Sequence, residues 1–406
     1  MRRRSELRQR FGRLDRDGDG MLSREDVADA RWLRAALRRF DENGDDQLSR
    51  EELGGSAAGD APAAMPAMPS VRRHADVAYA AHHPQQRLDI YVPRPDPVRD
   101  RNAHAHVVAG SDRPVVIMIH GGGWRSGDKA NAAVVGAKMR HFVARGSVYV
   151  SVNYRLSPDA SPGSTEVEAV RHPTHVADCA AAIGWIHRNI ARYGGDPEQL
   201  HLLGHSSGAH LAALVTADPQ WLHAEAVPRA VVRTTVLLDT AALDVSAQIA
   251  RSPASRGLYV NAFGHDQSEW RAASPLTQLV ENATPDHPRT LLLVNGRRRD
   301  AMADAVRMAT ILNAAGALST VMDTGLRTHA EINVLLGTAS DPMMAYVDRL
   351  HAGDDPRSFP ATVDPARPQA PAHVAVPASD PDADLDPDAA PHPDADSNPG
   401  PLTPSR

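Results

Sequence analysis

The chain has 406 residues, 42% of them hydrophobic, and a formal net charge of −6. This length and composition allow one large domain with additions, and the charge excludes a broad basic surface for nucleic acid. The single cysteine, Cys179, excludes an intramolecular disulfide and a multi-thiolate zinc site, and its apolar, helical context predicts a buried position. No apolar run is long enough for a transmembrane helix. No signal-peptide pattern is visible, which predicts a cytoplasmic location unless the true start lies elsewhere.

The first 54 residues contain two copies of one acidic pattern, at 15–26 and 41–52. Oxygen-bearing residues alternate along each copy, as in the twelve-residue loop that holds calcium in EF-hands. Position 8 is leucine in both copies, so Leu22 and Leu48 are expected to pair. The predicted ligands are Asp15, Asp17, Asp19, the Met21 carbonyl, Ser23 and Asp26 in the first loop, and Asp41, Asn43, Asp45, the Gln47 carbonyl, Ser49 and Glu52 in the second.

Apolar residues at helical spacing precede each loop, so the segment is similar to a compact bacterial EF-hand pair. Each copy departs from the pattern: Asp26 is shorter than the usual glutamate, and Asp46 replaces the turn glycine. We predict an all-α, calcium-binding pair over residues 1–54, with Ca²⁺ taking no part in the chemistry. The alternative is a solvated acidic turn between helices.

Two segments of biased composition bound the central domain. Residues 55–72 are rich in proline and alanine, which predicts a linker. Residues 352–406 hold 13 of the 32 prolines and ten aspartates against three arginines. Such a composition cannot bury a core, so we predict a disordered tail.

Residues 73–351 alternate between strand-like apolar runs and helical periodicity, which predicts a mostly parallel sheet with helices on both faces. One continuous domain of the α/β class is therefore expected. The predicted strands are 88–92, 115–119, 148–154, the run entering 200–205, 290–295 and 318–322, with a helix over 173–193.

The run 200–211 carries the strongest chemical signal. An apolar strand leads into Gly204-His-Ser-Ser-Gly208, and a small-residue helical segment follows. This strand–turn–helix context is that of a nucleophile elbow, with Ser206 as nucleophile. The N–H of Ser207 would lie at the helix N-terminus behind it.

A second glycine motif precedes the elbow. The buried-strand pattern at 115–119 runs into His120-Gly-Gly-Gly-Trp124. Three consecutive glycines indicate that the backbone of this loop must lie close to another group. In acyl transfer, such a loop donates N–H groups to the developing oxyanion. Gly122 and Gly123 are the candidate donors, with Ser207 as a third, and His120 is expected to brace the loop.

Together, five motifs resemble the hormone-sensitive-lipase-like and kynurenine-formamidase-like (BD-FAE-like) branch of the α/β-hydrolase superfamily. The resemblance covers about 75–350 and implies an α/β-hydrolase fold that cleaves esters or amides through an acyl-enzyme, with no cofactor for the chemistry. The motifs are 120–124, 154–158, 193–197, 204–211 and 273–275.

A serine triad in this fold runs in the chain order serine, acid, histidine. His329 follows a strand and a short loop and opens a helical run, which is the placement a general base needs. For the acid, Asp300 follows the strand pattern 290–295 and is preferred over Asp304. Residues 241–285 are expected to line the substrate pocket.

These assignments predict a serine hydrolase that cleaves carboxylic esters, with aryl formamides as a second choice. Its partners would be a small-molecule ester or amide and calcium ions. The alternative is a calcium-dependent binding protein that uses the hydrolase fold as a scaffold, because fold alone does not decide function.

Overall fold

The computed structural model describes Met21–Leu22, Leu48–Ser49 and residues 71–94, 112–158, 170–339 and 341–362. Most of the predicted calcium loops, residues 55–70 of the predicted linker and the predicted tail beyond 362 lie outside these described residues. The described ends of those two segments are structured: residues 71–72 begin the strand Val71–Ala78, and 352–362 contain the 3₁₀ turn Pro356–Ser358 and the buried Phe359. Within them, no helix is long and apolar enough to cross a membrane.

Two short strands, β1 (Met21–Leu22) and β2 (Leu48–Ser49), form an antiparallel pair. Leu22 lies opposite Leu48, and Met21 opposite Ser49. The expected pairing of the two position-8 leucines is therefore observed.

An eight-stranded sheet forms the centre of the main domain, in the order β10-β9-β8-β7-β5-β6-β4-β3. All neighbours are parallel except β4, which is antiparallel to both β3 and β6. The strands are β3 (Val71–Ala78), β4 (Arg87–Pro93), β5 (Arg113–Ile119), β6 (Val148–Val152), β7 (Gly195–His205), β8 (Val232–Leu238), β9 (Arg289–Val294) and β10 (Ser319–Asp323).

Helices connect the parallel strands. They are α1 (Ala132–Ala144), α2 (Thr174–Asn189), α3 (Ser207–Ala217), α4 (Pro219–Ala224), α5 (Val245–Arg251), α6 (Arg256–Phe263), α7 (Gln267–Ala272), α8 (Pro275–Asn282), α9 (Arg299–Ala314), α10 (His329–Val334) and α11 (Met343–His351). Single turns of 3₁₀ helix occur at Ile190–Tyr193, Arg229–Val231, Pro253–Ser255 and Pro356–Ser358.

Both faces of the sheet are buried because successive strand side chains point to opposite faces. In β5, Val115 and Ile117 join the cluster covered by α2, α3, α8 and α9. Val116 and Met118 join the cluster covered by α1, α10 and α11. Burial of each such aliphatic side chain contributes about 1.5–3 kcal/mol. The predicted α/β fold is confirmed, and Cys179 is buried in the first cluster as expected.

The carboxyl ends of β5, β7 and β8 meet at one edge of the sheet, since these strands are parallel neighbours. Ligands in open α/β sheets bind at this edge. The residues that follow the three strands are His120, Ser206 and Asp239.

Candidate active site

Ser206 occupies a strained turn between β7 and α3. Its φ of 54° and ψ of −117° lie in a region that non-glycine residues rarely adopt. The flanking glycines allow this close approach. A Cβ on Gly204 would lie 2.5 Å from the Gly208 carbonyl oxygen, and one on Gly208 would collide with the Ile119 backbone. The strand–turn–helix geometry is that of a nucleophile elbow.

Backbone hydrogen bonds hold the strained turn. The Ser206 N–H donates to the carbonyl of Leu238 at 2.9 Å, and the Ser206 carbonyl accepts from Ala241 and His210, each at 3.1 Å. The elbow is therefore tied directly to the end of β8. Asp239 directly follows Leu238, the last residue of β8.

His329 begins α10, as the sequence predicted, and Thr328 caps this helix in a capping box with Glu331. The His329 Nδ1–H donates to Asp239 Oδ2 at 2.6 Å. The Asp239 side chain is fully buried, whereas 43% of the His329 side chain is exposed. A buried carboxylate thus orients a half-exposed imidazole beside the elbow.

The assignment of Asp300 as the acid is corrected by this geometry. Asp300 lies in the first turn of α9 with 69% of its side chain exposed, and its carboxylate is 4.0 Å from Arg251. The alternative, Asp304, pairs with the same arginine at 2.5 Å. Both carboxylates face the α5 arginine, and the partner of His329 is Asp239.

The sequence contains a signal for Asp239 that was missed. Residues 236–238 are an apolar Val-Leu-Leu run, and an aspartate follows directly. The strand β8 was not among those predicted, so only acids after the next strand were considered. A triad with Asp239 would keep the chain order serine, acid, histidine.

Two partners keep the buried Asp239 carboxylate charged. Burial by itself raises the pKa of Asp239, but the hydrogen bond from His329 and the positive charge of Arg298 outweigh it, so the pKa lies below its usual value. The Arg298 Nη1 is 2.9 Å from Oδ2, and the Asn295 N–H donates to Oδ1 at 3.3 Å.

His205, next to the elbow serine, holds the histidine loop. Its Nε2–H donates to the His329 carbonyl at 2.9 Å, and the two rings lie 4.6 Å apart. Burial lowers the pKa of His205 to about 3. The ring is therefore neutral at pH 7 and adds no positive charge beside His329.

The glycine loop after β5 lies against the elbow. A Cβ on Gly121 would be 3.1 Å from the Ser206 Cβ. Gly122 and Gly123 have φ values of 124° and 62°, and their N–H groups make no hydrogen bond to any residue that the structure describes. Ser207 is the first residue of α3, so its N–H lies at a helix N-terminus. The loop thus lies against Ser206 at Gly121, and the Ser207 N–H belongs to the residue directly after the serine.

His120 braces this loop, as expected. Its Nδ1–H donates to the Gly121 carbonyl at 2.7 Å, and its ring stacks on Tyr154 with centroids 4.5 Å apart. Burial lowers the pKa of His120, so it stays neutral.

The region 241–285 packs onto the same loop. The Trp124 ring is fully buried and contacts Phe263 at 4.8 Å and His210 at 5.2 Å. The His210 Nε2–H donates to the Ala273 carbonyl at 2.8 Å. Leu258 of α6 lies close to Gly123: a Cβ on Gly123 would be 2.9 Å from the Leu258 Cδ1. This contact is consistent with the expected pocket wall.

The predicted calcium ligands are described only in part. Met21 and Ser49 lie in the β1–β2 pair, and the other ten predicted ligands lie outside the described residues. Elsewhere in the described chain, no group of three or more His, Cys, Asp or Glu side chains is arranged to hold a metal ion.

The sheet order and the elbow define an α/β-hydrolase fold. A family model named BD-FAE matches residues 104–287, a segment that contains the glycine loop, Ser206 and Asp239 and ends before His329. A crystal structure of esterase B from Lactobacillus Rhamnosis (HN001) covers 87% of this chain and 97% of its own, with a TM-score of 0.52 and 18% identity. At that identity, the likeness establishes the fold alone.

Curated relatives match the central part of the chain. Esterase LipQ of Mycobacterium tuberculosis is 36% identical over 139 residues, which cover 34% of this chain and 28% of LipQ. The probable isoprenylcysteine alpha-carbonyl methylesterase ICMEL1 of Oryza sativa subsp. japonica is 35% identical over 130 residues, which cover 32% of this chain and 24% of that protein. The chain thus matches about a quarter of the length of these relatives.

Proposed function

We propose that the protein is a carboxylesterase-type serine hydrolase that uses Ser206, His329 and Asp239. The observation that carries the proposal is the Asp239–His329 hydrogen bond of 2.6 Å, at the same sheet edge as the strained Ser206. A buried carboxylate that fixes the tautomer of a histidine beside a partly exposed serine is the arrangement a triad requires.

The chemistry follows from these positions. The Ser206 Oγ attacks the acyl carbonyl carbon while the His329 Nε2 takes its proton, and the carbonyl π electrons move to oxygen. The leaving alcohol then receives the proton from His329 as the C–O bond breaks, which leaves an acyl-serine. Water then attacks the acyl carbon while His329 takes one of its protons. The bond to Ser206 Oγ breaks as His329 returns that proton to Oγ, which releases the acid and restores Ser206.

Backbone donors would stabilise the oxyanion. We assign this role to the N–H groups of Gly122 and Gly123, which follow Gly121 in the braced loop that lies against the serine, and of Ser207, the residue after it. Each such donor contributes about 3 kcal/mol of transition-state stabilisation in serine hydrolases. The donors are part of the rigid backbone, so they need no rearrangement during reaction.

Carboxylic esters are the preferred substrate class, and aryl formamides come second. The names of LipQ and ICMEL1 refer to ester hydrolysis by those proteins, and they favour the first class for this chain. Leu258 against Gly123 narrows the space next to the oxyanion loop, which favours short acyl groups.

The decisive experiment is fluorophosphonate labelling of the full chain, together with hydrolysis of p-nitrophenyl acetate and an aryl formamide. We expect labelling at Ser206, and a loss of at least about 10³-fold in hydrolysis for Ser206→Ala. A folded wild-type chain that is neither labelled nor active would instead favour the scaffold alternative.

We also propose that residues 1–54 bind calcium as an EF-hand pair, separate from the chemistry. The register of β1 and β2, with Leu22 opposite Leu48, is what two facing calcium loops need, and it supports the assignment. Side chains such as Asp15, Asp41 and Glu52 would supply the oxygen ligands that this hard cation prefers.

Calorimetric titration of the full chain with Ca²⁺ tests the module. We expect two ions to bind, and the double variant Asp41→Asn with Glu52→Gln to lose one of them, because it removes two ligands of the second loop. Asp380→Asn, in the acidic tail, is the matched control and should bind as the wild type does. Absence of saturable binding would disprove the module.

A further inference from the structure

Arg298 lies at the start of α9 and reaches back to the end of β8. Its Nη1 is 2.9 Å from Asp239 Oδ2, and it also donates to the carbonyls of Asp239 and Thr240 at 3.3 and 3.4 Å. Oδ2 is the same oxygen that accepts from His329. One carboxylate oxygen therefore serves both a guanidinium and the candidate general base.

We propose that Arg298 is a positioning residue of the triad, which holds the Asp239 carboxylate in place for His329 and limits how strongly that carboxylate stabilises the imidazolium. This inference rests on the proposed function. The three contacts of Arg298 span the turn after β8, so they fix both the backbone and the side chain of Asp239.

The electrostatic consequence has a definite sign. An isolated carboxylate next to a histidine favours the protonated ring, whereas a second cation on the same carboxylate disfavours it. Arg298 therefore offsets part of the attraction that the Asp239 carboxylate exerts on a charged imidazole. Without Arg298, the imidazolium gains the full attraction of Asp239.

Other charged and titratable groups lie around this cluster. Glu331 of α10, two residues after His329, accepts from the N–H and the hydroxyl of Thr328. His205 of β7 is neutral because burial lowers its pKa to about 3. Lys138 of α1 is buried, with a pKa lowered to about 7 by burial, and it acts on His205. Tyr259 of α6 feels the charge of Arg298, and its own burial raises its pKa. Arg298 is the group among these that contacts the carboxylate directly.

The test is the pH dependence of kcat/KM, over about pH 5 to 9, for Arg298→Gln and Arg298→Lys. In such a profile the acid limb is the fall of kcat/KM at low pH, and the plateau is its constant value at higher pH. We expect Arg298→Gln to move the acid limb upward by about 0.5–1 pH unit and to lower the plateau about tenfold. We expect Arg298→Lys to keep the acid limb near its wild-type position. Its plateau should still fall several-fold, because one ammonium cannot make all three contacts of the planar guanidinium.

Arg297→Gln is the matched control, because Arg297 is the exposed neighbour and carries the same charge. It should leave the acid limb unchanged. An unshifted limb in Arg298→Gln, or an equal shift in Arg297→Gln, would overturn the proposal. If Arg298→Gln does not fold, a wild-type plateau in Arg298→Lys overturns it instead.

Failure of the proposed function is seen separately. Fluorophosphonate labelling of wild-type Ser206 reports whether a reactive serine exists at all. The pH dependence of the labelling rate gives a second measurement of the acid limb. This measurement does not depend on which ester is used. A labelled wild type with no shift in Arg298→Gln would refute the Arg298 inference alone.

Discussion

Asp239 shows how much one residue depends on its surroundings. Its carboxylate is fully buried, which by itself favours the neutral acid, yet three hydrogen-bond donors converge on it. These donors are His329, Arg298 and the Asn295 N–H, and the first two lower the pKa of Asp239. The carboxylate consequently stays charged at neutral pH and can orient the imidazole.

Replacing Asp239 should separate the two candidate acids. Asp239→Asn is expected to lower kcat for p-nitrophenyl acetate by about 10³–10⁴-fold, because an amide cannot stabilise the imidazolium or fix its tautomer. Asp300→Asn removes the same charge from an exposed position and should keep activity within about twofold. Equal losses in the two variants would argue against Asp239 as the acid.

At the scale of elements, the junction of β5, β7 and α3 determines the elbow. α3 begins directly after the strained serine, and its Gly208 lies against the backbone at the end of β5. Glycine is thus required here by the close approach of two backbones, although it lowers helix propensity by about 1 kcal/mol.

Gly208→Ala should destabilise the protein by about 2–3 kcal/mol, because the added methyl collides with the Ile119 and His120 carbonyls. Gly257→Ala in α6 is the matched control. A Cβ at Gly257 meets nothing within 4 Å, so this change should be neutral or slightly stabilising. Urea unfolding followed by circular dichroism measures both. Equal stability of the two variants would contradict the close-packing account of the elbow.

At the scale of the whole molecule, the described chain includes six buried histidines that are neutral at pH 7. Burial is the main reason that their pKa values are lowered. The values are about 4 for His172, His201 and His287, and about 3 for His175, His205 and His210. Below the ordinary histidine pKa, the unfolded chain therefore binds more protons than the folded one.

We expect stability to fall as pH drops from 7 to 5. Each of these histidines lowers the free energy of unfolding by up to about 2 kcal/mol over that interval. Asp341 acts in the opposite direction, since burial raises its pKa to about 6. Urea unfolding at several pH values checks this expectation. His287→Gln should flatten the pH dependence, whereas exposed His265→Gln should not, and an equal urea midpoint at pH 7 and 5 would refute the account.

Much of the architecture could be predicted from local patterns. The apolar runs 115–119 and 290–295 correspond to β5 and β9, and the helical run after 329 corresponds to α10, because hydrophobic periodicity is a local property. The antiparallel strand β3 and the parallel strand β8 were not identified. Without β8, the acid is placed after the next strand, and the carboxylate that contacts His329 is overlooked.

The amino-acid sequence by itself determined the class of fold, the elbow at Ser206, the glycine loop and the position of His329 at the start of a helix. Each of these depends on residues that are neighbours in the chain. Only the tertiary structure decided which carboxylate meets His329, because Asp239 and His329 lie 90 residues apart. The carboxylate that meets His329 depends on which strand ends beside the elbow. That strand is β8, because the Ser206 N–H donates to the carbonyl of Leu238 at its end.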